Sequence, residues 1–145
     1  MPNGVVGYTK LGCSNHYTQV ISVLHSEFVM QVRHKNTNHE CVMEWTESDG
    51  IHTATLVKVE NYVEMQKGDS IISAGTLGKF PNGEFVGYVE SVITSSGSNF
   101  VDIKVKLATD FNKVYNVHVI RNTQLLELQE IQADANNVMK EVVEP

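Results

Sequence analysis

Cysteine is scarce in this 145-residue chain: Cys13 and Cys41 are the only two, so at most one disulfide can form and no Cys-x-x-Cys pair is available to seat zinc. Spacing alone leaves open whether Cys13 and Cys41 pair. Long apolar runs are missing too, which excludes a membrane-spanning helix of about 20 residues. Eleven Lys and Arg stand against seventeen Asp and Glu, a formal net charge of -6, so the basic surface that nucleic-acid binding requires is not expected. Residues 1–4 carry neither a basic nor an apolar leader region. A strand pattern that begins at Gly4 gives the expectation of a fragment of a longer protein.

The dominant period is two. Val101, Ile103, Val105 and Leu107 alternate with Asp102, Lys104 and Lys106, so one face meets a core and the other meets water. Comparable runs at 5–11, 18–24, 28–33, 41–45, 53–59, 70–74, 85–92 and 114–120 bring the expected number of short strands to about nine. Between them lie turn residues: Lys35-Asn36-Thr37-Asn38, Ser48-Asp49-Gly50, Lys67-Gly68-Asp69, Pro81-Asn82-Gly83 and Ser95-Ser96-Gly97-Ser98-Asn99. Evenly spaced strands with no helical pattern between them predict an all-β barrel or sandwich.

Pro2-Asn3-Gly4-Val5-Val6-Gly7-Tyr8 is echoed by Pro81-Asn82-Gly83-Glu84-Phe85-Val86-Gly87-Tyr88 with one residue inserted. Either chance or two related half-structures accounts for the echo, and strand glycines at the bends of small barrels favour the second. After Arg121 the pattern changes. Leu125, Leu128 and Ile131 keep rough helical spacing among Gln, Glu, Asn and Asp, so the tail at 122–145 is expected to be helical or disordered.

Catalytic letters are present without their context. Gly68-Asp69-Ser70 follows several His residues, but Ser70 precedes Ile71-Ile72, which belong in a strand core, whereas a protease nucleophile needs backbone amides after it to form an oxyanion hole. Asp69 is expected in a turn. The six His residues (16, 25, 34, 39, 52 and 118) show no ligand spacing, although His34 and His39 could meet across a hairpin. Gly75-Thr76-Leu77-Gly78-Lys79-Phe80 lacks both the glycine spacing and the hydroxyl of a phosphate loop, so no cofactor is expected. Trp45 alternates with Met43 and Cys41 on an expected core face, which argues against a carbohydrate platform. In the aromatic loop 77–85, Phe80 either plugs a barrel end or stands out as an anchor for a partner.

The run from Gly68 through Gly83, followed by Val86-Gly87-Tyr88-Val89, resembles the signature of the rod shape-determining MreC family. Gly4-Val5-Val6-Gly7 resembles that family's opening strand. Residues 20–32 resemble a strand pair of the family, with Leu24-His25-Ser26 in place of a Thr-Asp turn, and Ala108-Thr109-Asp110-Phe111 with Val117 and Val119 resemble its closing segment. The likeness covers residues 4–120 and implies two small six-stranded β-barrels, a first region at 1–65 and a second at 66–121, followed by the acidic tail at 122–145. It further implies a non-enzymatic scaffold of cell elongation, a periplasmic domain of an inner-membrane protein whose anchor helix and coiled coil are absent from these residues. The partners it implies are a class B penicillin-binding transpeptidase, MreD, RodZ, the MreB system and further copies of itself. Phe80, Asn82 and Phe85 are the candidate partner-binding residues, and residues 53–59 the candidate edge for self-association. A degenerate trypsin-like hydrolase is the competing reading.

Overall fold

A computed structural model describes residues 4–10, 14–75, 80–94 and 97–120. Eight strands form: β1 (Gly7–Thr9), β2 (Val20–Ser22), β3 (Val29–His34), β4 (Glu40–Glu44), β5 (Thr53–Glu60), β6 (Ser70–Ser73), β7 (Phe85–Thr94) and β8 (Phe100–Leu107). Each coincides with an alternating run in the sequence. Short 3-10 turns at Glu47–Asp49 and Phe111–Lys113 are the helical elements among the described residues.

Six strands close into one antiparallel barrel in the order β3-β4-β5-β8-β7-β6, and β1-β2 form a separate two-stranded ribbon. Of the two barrels expected, one is closed among the described residues. Strands β6 to β8 do not close among themselves, because β6 pairs with β3 through Val32↔Ser73, Arg33↔Ile72 and His34↔Ile71, while β8 pairs with β5. The wall thus takes three strands from before residue 65 and three from after it. The period-two pattern made residues 114–120 a ninth strand, yet they form no strand, and Tyr115, Val117, Val119 and Ile120 lie exposed.

The barrel interior is filled by one side of each alternation: Met30 and Val32, Cys41 and Met43, Ala54 and Leu56, Ile71, Val86 and Val89, and Ile103, Val105 and Leu107. Closure at this small diameter demands bends, and register shifts supply them in β5 between Leu56 and Val59 and in β7 between Val89 and Ser91. At the first shift Lys58 takes a left-handed φ of 54°, uncommon for a non-glycine residue. Aromatic rings seal one end. Phe28 is fully buried, with Tyr8 stacked on it at 5.6 Å and Phe80 edge-on at 6.1 Å, so the ribbon and the 80–84 loop meet over the same ring.

The two echoed glycines occupy equivalent environments. A Cβ on Gly7 would fall on the Ile21 carbonyl oxygen across the ribbon, and one on Gly87 would fall on the Lys106 carbonyl oxygen across the β7–β8 pair. Both positions therefore require glycine for close backbone approach. Gly4 is equally constrained, since its Cβ would meet the Thr109 hydroxyl, which donates to the Val5 carbonyl and ties the start of the chain to the end of the barrel.

Candidate partner-binding face

Strand pairing fixes which side chains share the outer wall. Arg33↔Ile72 and Ile72↔Phe85 run across β3, β6 and β7 as one row, and Ser70↔Tyr88 and Tyr88↔Lys106 run across β6, β7 and β8 as the next. Lys35 extends the second row, because its N–H donates to the Ser70 carbonyl at 3.1 Å. The rings of Phe85 and Tyr88 meet edge-to-face at 4.9 Å, and Tyr88 remains 47% exposed. Three cationic side chains thus border an apolar strip of Ile72, Phe85 and Tyr88, and Glu40 of β4 stands opposite Arg33 at the end of the first row.

Asn82 belongs to this face. The Arg33 guanidinium donates from Nη2 to Asn82 Oδ1 at 2.9 Å and from Nη1 to Asn38 Oδ1 at 3.4 Å, while its buried Nε has no acceptor among the described residues. Ser73 holds the base of the loop: its N–H donates to the Glu84 carbonyl, its carbonyl accepts from Gly83 N–H, and its hydroxyl accepts from Glu84 N–H and donates to the Pro81 carbonyl. The loop is consequently fixed at Pro81–Glu84, and Asn82 is presented beside Arg33. Of the three residues singled out in the sequence, Asn82 and Phe85 come together here. Phe80 points into the aromatic plug with Tyr8 and Phe28, away from that strip. Arg33, Ile72 and Tyr88 were not singled out, although the alternation in β3, β6 and β7 would have set them on one side once the strand order was known.

The residues of the protease reading are placed otherwise. His34 is buried, its Nδ1 lies 2.8 Å from Thr37 Oγ1 and its Nε2 lies 2.8 Å from Asp69 Oδ2. Asp69 also accepts from Gln66 N–H, and these two donors hold its carboxyl below the usual carboxylate range. The arrangement locks the 34–39 turn to the start of β6. Ser70 takes no place in it, since its side chain shares the outer face with Tyr88. Thr37 sits in an exposed turn and its hydroxyl accepts from His39 N–H, as a turn-capping side chain does.

On the adjoining wall, β4–β5 pairing ends at Val42↔Val57, where the β5 irregularity carries the chain away. A shallow groove of about 410 Å³ opens there, lined by Gln31, Glu40, Cys41, Val42, Glu44, Val57 and Lys58. Burial pushes the Cys41 thiol up to about 11, so it remains protonated at neutral pH and unreactive. Cys41 is a free thiol, and Cys13 lies outside the described residues, as does the tail at 122–145. The edge proposed at 53–59 is corrected here. β5 is paired on one side to β4 and on the other to β8, and only beyond the register shift does its β4 side open. Trp45 is half-buried against the core and donates from Nε1 to the Gly50 carbonyl at 2.7 Å, which leaves no aromatic platform there for a sugar.

The family description "Rod shape-determining protein MreC, barrel core" fits residues 1–121. The chain belongs to the MreC family. Solved MreC structures share the fold: one superposes with a TM-score of 0.68 at 20% identity, covering 77% of this chain and 61% of that one. MreC from Pseudomonas aeruginosa gives 0.61 at 21% identity, covering 66% of this chain and 60% of its own. A complex between the penicillin-binding protein PBP2 and MreC from Helicobacter pylori gives 0.58 at 15%, covering 83% and 66%. This chain therefore spans less than two-thirds of each of those MreC chains. No curated protein sequence matches it. Among the described residues, no helix is long and apolar enough to cross a membrane, and no group of three metal-ligating side chains occurs.

Proposed function

We propose that this MreC-family chain is a non-enzymatic scaffold on the extracytoplasmic side of the inner membrane, and that it organises peptidoglycan synthesis by holding a class B penicillin-binding transpeptidase. The observation that carries the reading is the Arg33–Ile72–Phe85–Tyr88 face on a barrel of this family. A relative of the same fold forms a complex with PBP2. Exposed aromatics beside an arginine fork, on a rigid wall, are the residue types that dominate binding energy at protein interfaces. Asn82 and Phe85 contact the partner in this reading, and Phe80 supports them from beneath through the aromatic plug.

The echo of Gly7 and Gly87, each pressed against a cross-strand carbonyl, supports a second β-barrel to which the β1–β2 ribbon and the exposed residues 114–120 contribute. MreD, RodZ, the MreB system and further copies of this chain are partners of the assembled scaffold. Pull-down with the extracytoplasmic part of the cognate transpeptidase tests the role: retention by the full chain is expected, and no retention at any concentration up to tens of micromolar, with the barrel folded, would contradict it.

A further inference from the structure

β7 outlasts its neighbour on one side. β6 accompanies it from Phe85 to Val89, where Val89 N–H donates to the Asp69 carbonyl at 2.9 Å and the Val89 carbonyl accepts from Gly68 N–H at 2.8 Å. From Glu90 to Thr94 the strand is paired to β8 alone among the described residues, and all five residues are exposed. Ala108 N–H donates to the Val86 carbonyl and Leu107 N–H to the His52 carbonyl, so even-numbered residues of β8 turn their backbone groups to β7 and odd-numbered ones to β5. Ser91 and Ile93, opposite Lys104 and Asp102, therefore bond to β8. Val92 and Thr94, opposite Ile103 and Val101, turn N–H and C=O outward, away from the sheet. We infer that this edge is a self-pairing site, at which two copies of the chain join β7 to β7, antiparallel, about a two-fold axis at Ile93.

A second copy is the occupant because the edge complements itself. In this register Val92 of each chain exchanges both backbone hydrogen bonds with the second copy's Thr94, which uses every outward group of the two residues. Ile93 meets its own counterpart at the position between those bonds, where side chains come closest, and the contact covers an isoleucine left 46% exposed. Residues 91–94 contain no Lys, Pro or other charge, the devices by which natural edge strands refuse a partner. Glu90 falls at the bulge, before the paired stretch. Asp102 lies beside Ile93 on β8, but it and its counterpart stand three strand spacings apart, about 14 Å, beyond the screening length of about 8 Å at physiological salt. The edge is at the end of β7 away from Phe85 and the aromatic plug, so pairing leaves the ribbon clear. A contact this small gives a dimer that dissociates on dilution. The inference rests on the reading that further copies of this chain are partners, and it names the surface they use.

Sedimentation of the full chain, with oxidative trapping of cysteine variants, decides it. The parent is expected to pass from monomer to dimer as its concentration is raised to about 1 mM. Ile93→Lys and Ile93→Glu, each at unchanged melting temperature, should remain monomeric alone and recover the dimer when mixed. In a Cys13→Ser background, Ile93→Cys should form a disulfide between chains, since the two Cα atoms lie about 4.5 Å apart in this register. Ser91→Cys should not, because its two copies are about 13 Å apart along the strands. A dimer that persists in Ile93→Lys, or trapping as rapid at Ser91→Cys as at Ile93→Cys, would overturn the edge while leaving copies of the chain as partners. A parent that stays monomeric throughout would overturn both.

Discussion

His34 Nε2 lies 2.8 Å from Asp69 Oδ2, joining the last residue of β3 to the turn that leads into β6 across 35 residues of sequence. β3 and β6 are the pair that closes the barrel, so this contact sits at the closure itself. Asp69→Ala leaves a buried imidazole without one of its partners, and the expected loss is about 1–3 kcal/mol, read as a lower midpoint in urea unfolding. The Gln66 N–H and His34 hold the Asp69 carboxyl low in the folded state. Its contribution is therefore full above the unfolded value of about 3.9 and is lost as pH falls through the lower folded value.

Asp49 makes a second buried tie. Desolvation raises its carboxyl, but donors from Lys104, Thr46 N–H and Thr55 outweigh this and hold it below the usual range. Its Oδ2 accepts from Thr46 N–H at 2.9 Å and its Oδ1 from Thr55 Oγ1 at 2.8 Å and from the Lys104 ammonium. Asp49→Ala removes the acceptor of the Lys104 ammonium, the Thr46 N–H and the Thr55 hydroxyl, and about 2–4 kcal/mol should be lost in chemical unfolding. Adding Lys104→Met should recover part of that loss. As with Asp69, the stabilisation is present above about pH 4 and disappears on acidification through the folded value.

Gly87→Ala drives a methyl group into the Lys106 carbonyl, and Gly7→Ala does the same at Ile21. Both should cost about 2–4 kcal/mol or prevent folding, as measured by circular dichroism melts. Gly83→Ala meets open space and is strained only by its φ of 89°, so a cost of about 1 kcal/mol is expected.

Phe80→Ala and Phe85→Ala should separate support from contact. Phe80 packs on Tyr8 and Phe28, so its truncation is expected to cost about 2–3 kcal/mol of stability. Phe85 lies on the outer wall against Tyr88, where truncation should cost less than about 1 kcal/mol. Thermal melts of the two variants check the difference.

The strands were legible because alternation of apolar and polar residues is local: the run from Val101 to Leu107 needs no partner to show its buried side. Closure was not legible, since β3–β6 pairing links residues about 40 apart and no local signal specifies it. Residues 114–120 carry the same alternation as a paired strand, and pattern alone does not supply a neighbour. Asp69 could be placed in a turn from Lys67-Gly68, but its His34 partner could not, and the same blindness hid Asp49–Lys104. The loop gave Asn82 and Phe85 through its composition. Arg33 and Tyr88 emerged only when the register set their strands side by side.

The most direct measurement is a titration of the cognate class B transpeptidase's extracytoplasmic part against the full chain, comparing Tyr88→Ala and Arg33→Gln on the basic–aromatic wall with Glu44→Gln on the β4 wall. Saturable binding is predicted, weakened about tenfold or more by Tyr88→Ala and Arg33→Gln at unchanged melting temperature, and within about twofold of the parent for Glu44→Gln. Equal affinity in all four proteins, or a loss confined to Glu44→Gln, would contradict the assignment of this face.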